Sequence, residues 1–299
     1  GRASQGGIFM SKVKIITDSC SDLPDDIVKK YDIEFLNIPV EINKSIYYDR
    51  GDLKPADFYK LILDKKEVPK TSRITPEQFK KSYQKALEKY DHVIVIAFSS
   101  KLSGILESAV LAKRDLASDK ITVIDSKAAS IGQGLLVYQA AKMLESGLEV
   151  EEVINETVEC ASKLEHIFAV GDIEMLKRGG RISKTKAVVA NVLNIKPILR
   201  ILDGEILPHD KVRGKKRMIS YLINEIENKA DNPSEQTLAI TYSKDQKYAL
   251  KLKDEIQKKF NPEEIFMSEI GAAVGSHAGP GTLAVVFKNH EKIADVELY

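Results

Sequence analysis

The sequence predicts an α/β protein of two domains: an N-terminal parallel sheet flanked by helices, then a C-terminal α/β (α+β) domain. Three observations carry that expectation. Strand-like and helix-like periodicities alternate through the first half of the chain. The run 92–98 (HVIVIAF) is nearly unbroken in its apolar character, as in a strand buried on both faces. The pattern then changes character over residues 147–152. A boundary there gives domains of residues 10–150 and 151–299, each large enough for its own core. Residues 1–9 (GRASQGGIF) are polar, glycine-rich and followed by Met10, and are read as a leader left from cloning, outside the fold.

The first strand is predicted at residues 13–16, ending in Thr17-Asp18-Ser19, with a helix to about Tyr31. A strand at 34–40, a helix from Pro55 and a helix over 76–89 follow, the last feeding the buried run at 92–98. The next helix starts near Leu102. A strand at 120–124 closes in Asp125-Ser126 and leads to a long helix over 131–145. Beyond the boundary come a helix to about Leu164 and a strand near 167–170. Residues 196–202 and 205–208 flank Asp203-Gly204, a strong hairpin signal. Helices over 216–228 and 244–259 then alternate with strands at 237–241, 264–269 and 282–287.

Composition excludes several functions. With 45 basic and 44 acidic residues the formal net charge is +1, so no global field draws nucleic acid or an anionic membrane. Cys20 and Cys160 stand alone, without metal-ligand or redox spacing, which fits a reducing compartment. No apolar run approaches the ~20 residues of a spanning helix, so a cytoplasmic location is expected.

Three separated runs gather small hydroxyl residues and glycine where strands should hand over to helices: Thr71-Ser72, Ser99-Ser100-Lys101-Leu102-Ser103-Gly104, and Gly275-Ser276-His277-Ala278-Gly279-Pro280-Gly281. Together they read as one polar pocket able to hold a carboxylate or phosphate through hydroxyls, an imidazole and backbone N–H groups, without a metal. Helix capping alone could explain single hydroxyls, Asp18 and Ser19 included. The third run is harder to explain that way. Four Gly or Pro residues within seven positions fix an irregular backbone around one imidazole.

These runs carry a resemblance. From Lys12 onward the chain resembles the DegV family of bacterial fatty-acid-binding proteins, which includes the FakB subunits of fatty acid kinase. The matching stretches are Thr17-Asp18-Ser19, Pro69-Lys70-Thr71-Ser72, the loop 99–104, Arg178-Gly179-Gly180-Arg181-Ile182-Ser183, Val212-Arg213 and His277-Ala278-Gly279-Pro280-Gly281. The resemblance implies one long-chain fatty acid held with its tail in a closed apolar tunnel of the C-terminal domain and its carboxylate at the domain interface. Thr71, Ser100 and His277 would carry the carboxylate contacts, with Ser72, Ser99 and Gly279 beside them. Asp18, Ser19, Ser103 and Gly104 would support the pocket. A separate ATP-dependent kinase would phosphorylate the acid, leaving this chain a carrier that needs no cofactor or metal and is not itself catalytic. The chain departs from the family pattern at Arg73-Ile74, Ile105 and Ala284, which bears on the tunnel's shape rather than on the carboxylate site.

Because no Lys or Arg lies within the Thr71, Ser100 and His277 set, the head group is expected to be weakly neutralised. Two basic stretches, Lys177, Arg178, Arg181, Lys184 and Lys186, and Lys211, Arg213, Lys215, Lys216 and Arg217, are read as a kinase-docking surface centred on Arg181 and Arg213, with a transient membrane contact second. A competing reading makes Ser100, His277 and Asp18 a hydrolase triad for small acyl esters, but no GxSxG elbow accompanies them. A phosphotransferase acting alone lacks a GxxxxGK[ST] loop, and a nucleic-acid-binding module rests only on the basic stretches.

Overall fold

The computed structural model describes residues 10–65, 67–182 and 194–299. Ser183, Lys184 and Lys186, and residues 1–9, lie outside the described residues. The first layer is a parallel sheet ordered β2-β1-β6-β7, built from β1 (Val13–Asp18), β2 (Glu34–Leu36), β6 (His92–Ala97) and β7 (Ile121–Asp125). Helices α1 (Asp25–Lys30), α3 (Pro76–Leu87), α4 (Ile105–Leu116) and α5 (Ile131–Glu145) connect and cover it. The local signals are direct ones. Thr75 and Gln78 form a capping box before Pro76 at the first turn of α3.

The predicted single strand at 34–40 is in fact two elements, because the chain leaves β2 and starts a second, antiparallel sheet. That sheet, ordered β4-β3-β5, comprises β3 (Pro39–Ile42), β4 (Ser45–Tyr48) and β5 (Lys70–Thr71). Asn43 and Lys44 both take positive φ (50° and 62°), the two-residue turn that joins β3 to β4. Helix α2 (Pro55–Lys65) packs beside it, with Phe58, Tyr59 and Ile62 in one cluster with Val40 and Ile42.

The third sheet has six strands in the order β10-β9-β8-β13-β11-β12. They are β8 (Leu164–Ala169), β9 (Ile195–Leu202), β10 (Glu205–Arg213), β11 (Thr237–Tyr242), β12 (Glu264–Glu269) and β13 (Leu283–Lys288). Only β11 and β12 pair in parallel; the hairpin at Asp203-Gly204 joins β9 and β10 as the sequence suggests. One face packs on α8 (Lys215–Lys229) and α9 (Lys247–Phe260). The opposite face turns toward the parallel sheet, and α5 lies between the layers, sharing a cluster with Ala239, Phe266 and Val286. Ten of its residues are buried, including both sides of the helix, so it reads as a core helix rather than an amphipathic one. The remaining helices are α6 (Val150–Ser162), α7 (Ile173–Gly179) and α10 (Ala272–Ala278). Residues 297–299 return to the first layer, where Tyr299 exchanges two backbone hydrogen bonds of 2.9 Å with Val123.

Candidate functional site

A cavity of about 310 Å³ opens between the six-stranded sheet and the loops at the carboxyl ends of the parallel strands. Phe168, Ile201, Ile206, Ala284 and Val286 form its floor, on the sheet face turned toward the first layer. Ile38, Phe98, Leu102, Ile105 and Ile270 close it from the other sides. The lining is predominantly apolar, as small-molecule sites are, with one polar stretch around Thr71 and His277 and further polar residues at Ser130, His166, Thr241 and Thr282.

That stretch contains Thr71, Ser72, Arg73, Ser103, Gly104, Arg181 and His277. β5 places Thr71 opposite Val40, and its hydroxyl hydrogen-bonds Nε2 of His277 at 3.0 Å. His277 sits in the last turn of α10, so the glycine-rich segment expected to be irregular is helical up to Ala278. Small residues allow this close packing. A Cβ at Gly275 would stand 2.6 Å from the Tyr59 hydroxyl, and one at Gly179 only 2.3 Å from Nδ1 of His277. Burial, and after it the charge of Arg181, pushes the His277 pKa down to about 4, so the ring is neutral near pH 7. Among the described residues its Nδ1 has no hydrogen-bond partner.

Arg181 corrects two expectations. It is half-buried rather than displayed on an open surface, its Nε donating to Leu102 O at 3.2 Å and its Nη1 to Gly179 O. It therefore joins the 99–104 loop to α7 beside the imidazole, and the polar wall does contain a fixed positive charge. The site is not weakly neutralised. Arg213, by contrast, is exposed, as are Lys215, Lys216 and Arg217.

The 99–104 loop also differs from expectation, since Ser99 and Ser100 do not reach the cavity. Ser99 is buried and donates to Gly204 O at 2.8 Å, tying the loop to the β9–β10 turn. Ser100 is exposed and donates to Asp125 Oδ2 at 2.5 Å, drawn toward the buried carboxylate at the end of β7. Ser103 lines the cavity instead, followed by Gly104. The three residues proposed as a hydrolase triad are likewise apart in their bonding: Ser100 pairs with Asp125, His277 with Thr71, and Asp18 with backbone and Gln133. Gly279 is not in the lining. It caps α10 at φ 73° and accepts from Ser243 Oγ at 2.6 Å.

Asp18 and Ser19 act beneath the wall. Asp18 accepts from Cys20 N at 3.0 Å, Phe98 N at 3.2 Å and Gln133 Nε2 at 2.9 Å, while Ser19 Oγ accepts from Ile38 N at 2.9 Å. Cys20, Phe98 and Ile38 all line the cavity. Burial raises the Asp18 pKa to about 6, and the three donors oppose that rise. A second buried pair anchors α10: Asp22 Oδ1 accepts from Gly271 N and Asp49 Oδ1 from Ala272 N, both at 2.8 Å. Arg50 joins them, 3.3 Å from Asp22 and bonded to Glu269 O. Both carboxyl pKa values are raised, chiefly by burial, with Arg50 opposing. Sequence reading missed this anchor because its members are spread over some 250 positions, and nothing local marks Asp49 or Arg50. Among the described residues no cluster of His, Cys, Asp and Glu is arranged to hold a metal ion, and no helix is long and apolar enough to cross a membrane.

Known proteins match this chain over more than nine-tenths of its length. A DegV domain-containing protein of Clostridium perfringens is 37% identical over 95% of this chain and 99% of its own. A fatty acid-binding protein of Thermotoga maritima is 35% identical over 91% of this chain and 96% of its own. The solved structure of a DegV family protein from Thermus thermophilus, described by its fatty acid binding, superposes with a TM-score of 0.87 at 31% identity, covering 93% of this chain and 99% of that one. With the DegV family model matching residues 12–290, the chain belongs to the DegV family.

Proposed function

We propose that this protein binds one long-chain fatty acid in the cavity, with its carboxylate against Thr71, Ser103, His277 and Arg181 and its tail over the floor of Phe168, Ile201 and Val286. The observation that carries the reading is one cavity whose predominantly apolar lining includes a group of polar side chains around the Thr71–His277 hydrogen bond. Burying about fifteen methylenes at ~0.8 kcal/mol each is worth roughly 12 kcal/mol before ordering costs, so the tail supplies most of the affinity. The polar wall sets orientation. A carboxylate removed from water needs donors, and a hydroxyl, an imidazole N–H and a guanidinium supply them. The fatty acid-binding relatives from Thermotoga maritima and Thermus thermophilus support the same ligand class.

The chain is then a carrier rather than a catalyst, presenting the acid to a separate ATP-dependent kinase for acyl-phosphate formation. Ser72 and Arg73 are exposed at the polar wall, which leaves the head group open to a partner's active site. The exposed cluster from Arg213 to Arg217 offers that partner a positively charged docking face. Mass spectrometry of an organic extract of the purified protein tests the ligand assignment. About one equivalent of a long-chain acid is expected, falling well below that in Thr71→Val; an extract without fatty acid, from protein that also fails to bind added acid, contradicts the reading.

A further inference from the structure

Among the described residues, the cavity meets solvent at one place. Of its lining residues only Ser72 and Arg73 are exposed; the others are buried or half-buried. A ligand that fills the interior therefore passes these two residues on its way in and out. The backbone here is held on both sides. Ser72 N donates to Pro39 O at 3.0 Å, and Ile74 is 1% exposed in one core cluster with Phe79 and Ile105. The movable part is the Arg73 side chain.

That side chain spans the opening. From just beyond β5 it lies across the loop that precedes α4, and its Nη1 donates to Glu107 Oε2 at 2.8 Å in the first turn of that helix. A Cβ at Gly104 would stand 2.5 Å from Nη1 and 2.9 Å from Cδ of Arg73, so the bare backbone at Gly104 is what lets the arginine rest there. Both charged groups are exposed, and an ion pair in water is weak and screened by salt. A contact of that strength covers a passage without sealing it.

We infer that Arg73 is a gating residue for ligand exchange: its contact with Glu107 straps the cavity mouth, and the acid enters or leaves when that contact is open. Arg181 differs in kind. Its guanidinium is fixed by the carbonyls of Leu102 and Gly179, whereas Arg73 is held only through an exposed carboxylate that water can replace. The inference rests on the fatty-acid reading of the cavity.

The test measures how fast protein loaded with radiolabelled hexadecanoic acid releases it to excess serum albumin. Glu107→Gln removes the charge that holds Arg73 and leaves the cavity lining untouched. Gly104→Ala reaches the same end from the other side: φ −83° suits alanine, and the added methyl displaces the guanidinium with both charges kept. Each variant is expected to release the acid about two- to fivefold faster than wild type, the shift that loss of one exposed ion pair gives a closed–open equilibrium. Raising the salt concentration should speed release from wild type and leave Glu107→Gln unmoved. Glu227→Gln is the control. It breaks an exposed 2.6 Å pair with Lys259 between α8 and α9, on the face of the six-stranded sheet away from the cavity, and should release at the wild-type rate. A wild-type rate in Glu107→Gln or Gly104→Ala, or equal acceleration in Glu227→Gln, overturns the gate and leaves the fatty-acid reading standing. Wild type that takes up no acid overturns both.

Discussion

Thr71 and His277 hold each other in position without help from a ligand, through one 3.0 Å hydrogen bond between segments about 200 residues apart. The neighbouring Arg181 supplies the charge, and its guanidinium is oriented by two backbone carbonyls rather than by a carboxylate. An arginine without an acidic partner among the described residues, beside a neutral imidazole, is suited to an incoming anion. This separates the two basic residues that the sequence groups together. Arg181→Glu is expected to lower fatty-acid affinity at least about tenfold, since it replaces attraction by repulsion at the head group. Arg213→Glu should keep full lipid content and, if the proposed kinase docks on this face, lose coupling to it. Equal lipid content in the two variants, read by mass spectrometry, would contradict the placement of Arg181. The hydroxyl runs were legible in the sequence, but which hydroxyl faces inward was not. Ser100 is turned outward by Asp125, a residue at the end of a different strand, and that pairing leaves no local trace.

At the scale of elements, α10 is the piece on which the polar wall depends. It has seven residues, with a glycine at its centre, and would not persist as an isolated helix. Tertiary contacts supply what propensity does not: Asp22 and Asp49 hold the N–H groups of its N-cap Gly271 and its first residue Ala272, and Tyr59 donates to Ile270 O at 2.8 Å just before it. The two aspartates are not equivalent. Asp22 meets Arg50 and Ser130 as well as Gly271 N, whereas Asp49 meets Ala272 N and Ser19, and its carboxyl pKa is raised further by the charge of Asp22. Asp22→Asn should therefore destabilise the fold by roughly 2–4 kcal/mol, because it strips the buried Arg50 of its nearest countercharge. Asp49→Asn should cost less than about 1 kcal/mol, since it also relieves like-charge repulsion. Urea unfolding of both variants checks the order, and a larger loss at Asp49 would show that the Asp22–Arg50 contact is not the main anchor. The helical state of α10 was hidden in the sequence by the same glycines and proline that suggested a loop.

Across the whole molecule, the cavity exists because two layers meet imperfectly around α5. The parallel sheet contributes loops from the carboxyl ends of its strands, where open α/β sheets bind ligands, and the six-stranded sheet contributes a flat apolar floor. The first layer was legible from its alternating β and α periods, and the β9–β10 hairpin from Asp203-Gly204. The small sheet of β3, β4 and β5 was not, because its strands are two to four residues long and Lys70–Thr71 has no period to read. Three of the positions at which the chain departs from the family pattern, Arg73, Ile105 and Ala284, all lie in the cavity lining. The most direct test of the account is a crystal structure of the protein with hexadecanoic acid bound. The account predicts a carboxylate within hydrogen-bond distance of Thr71 and His277, with the tail passing Phe168 toward His166. An acid bound elsewhere, or an interior in which side chains fill the space between the layers, would contradict it.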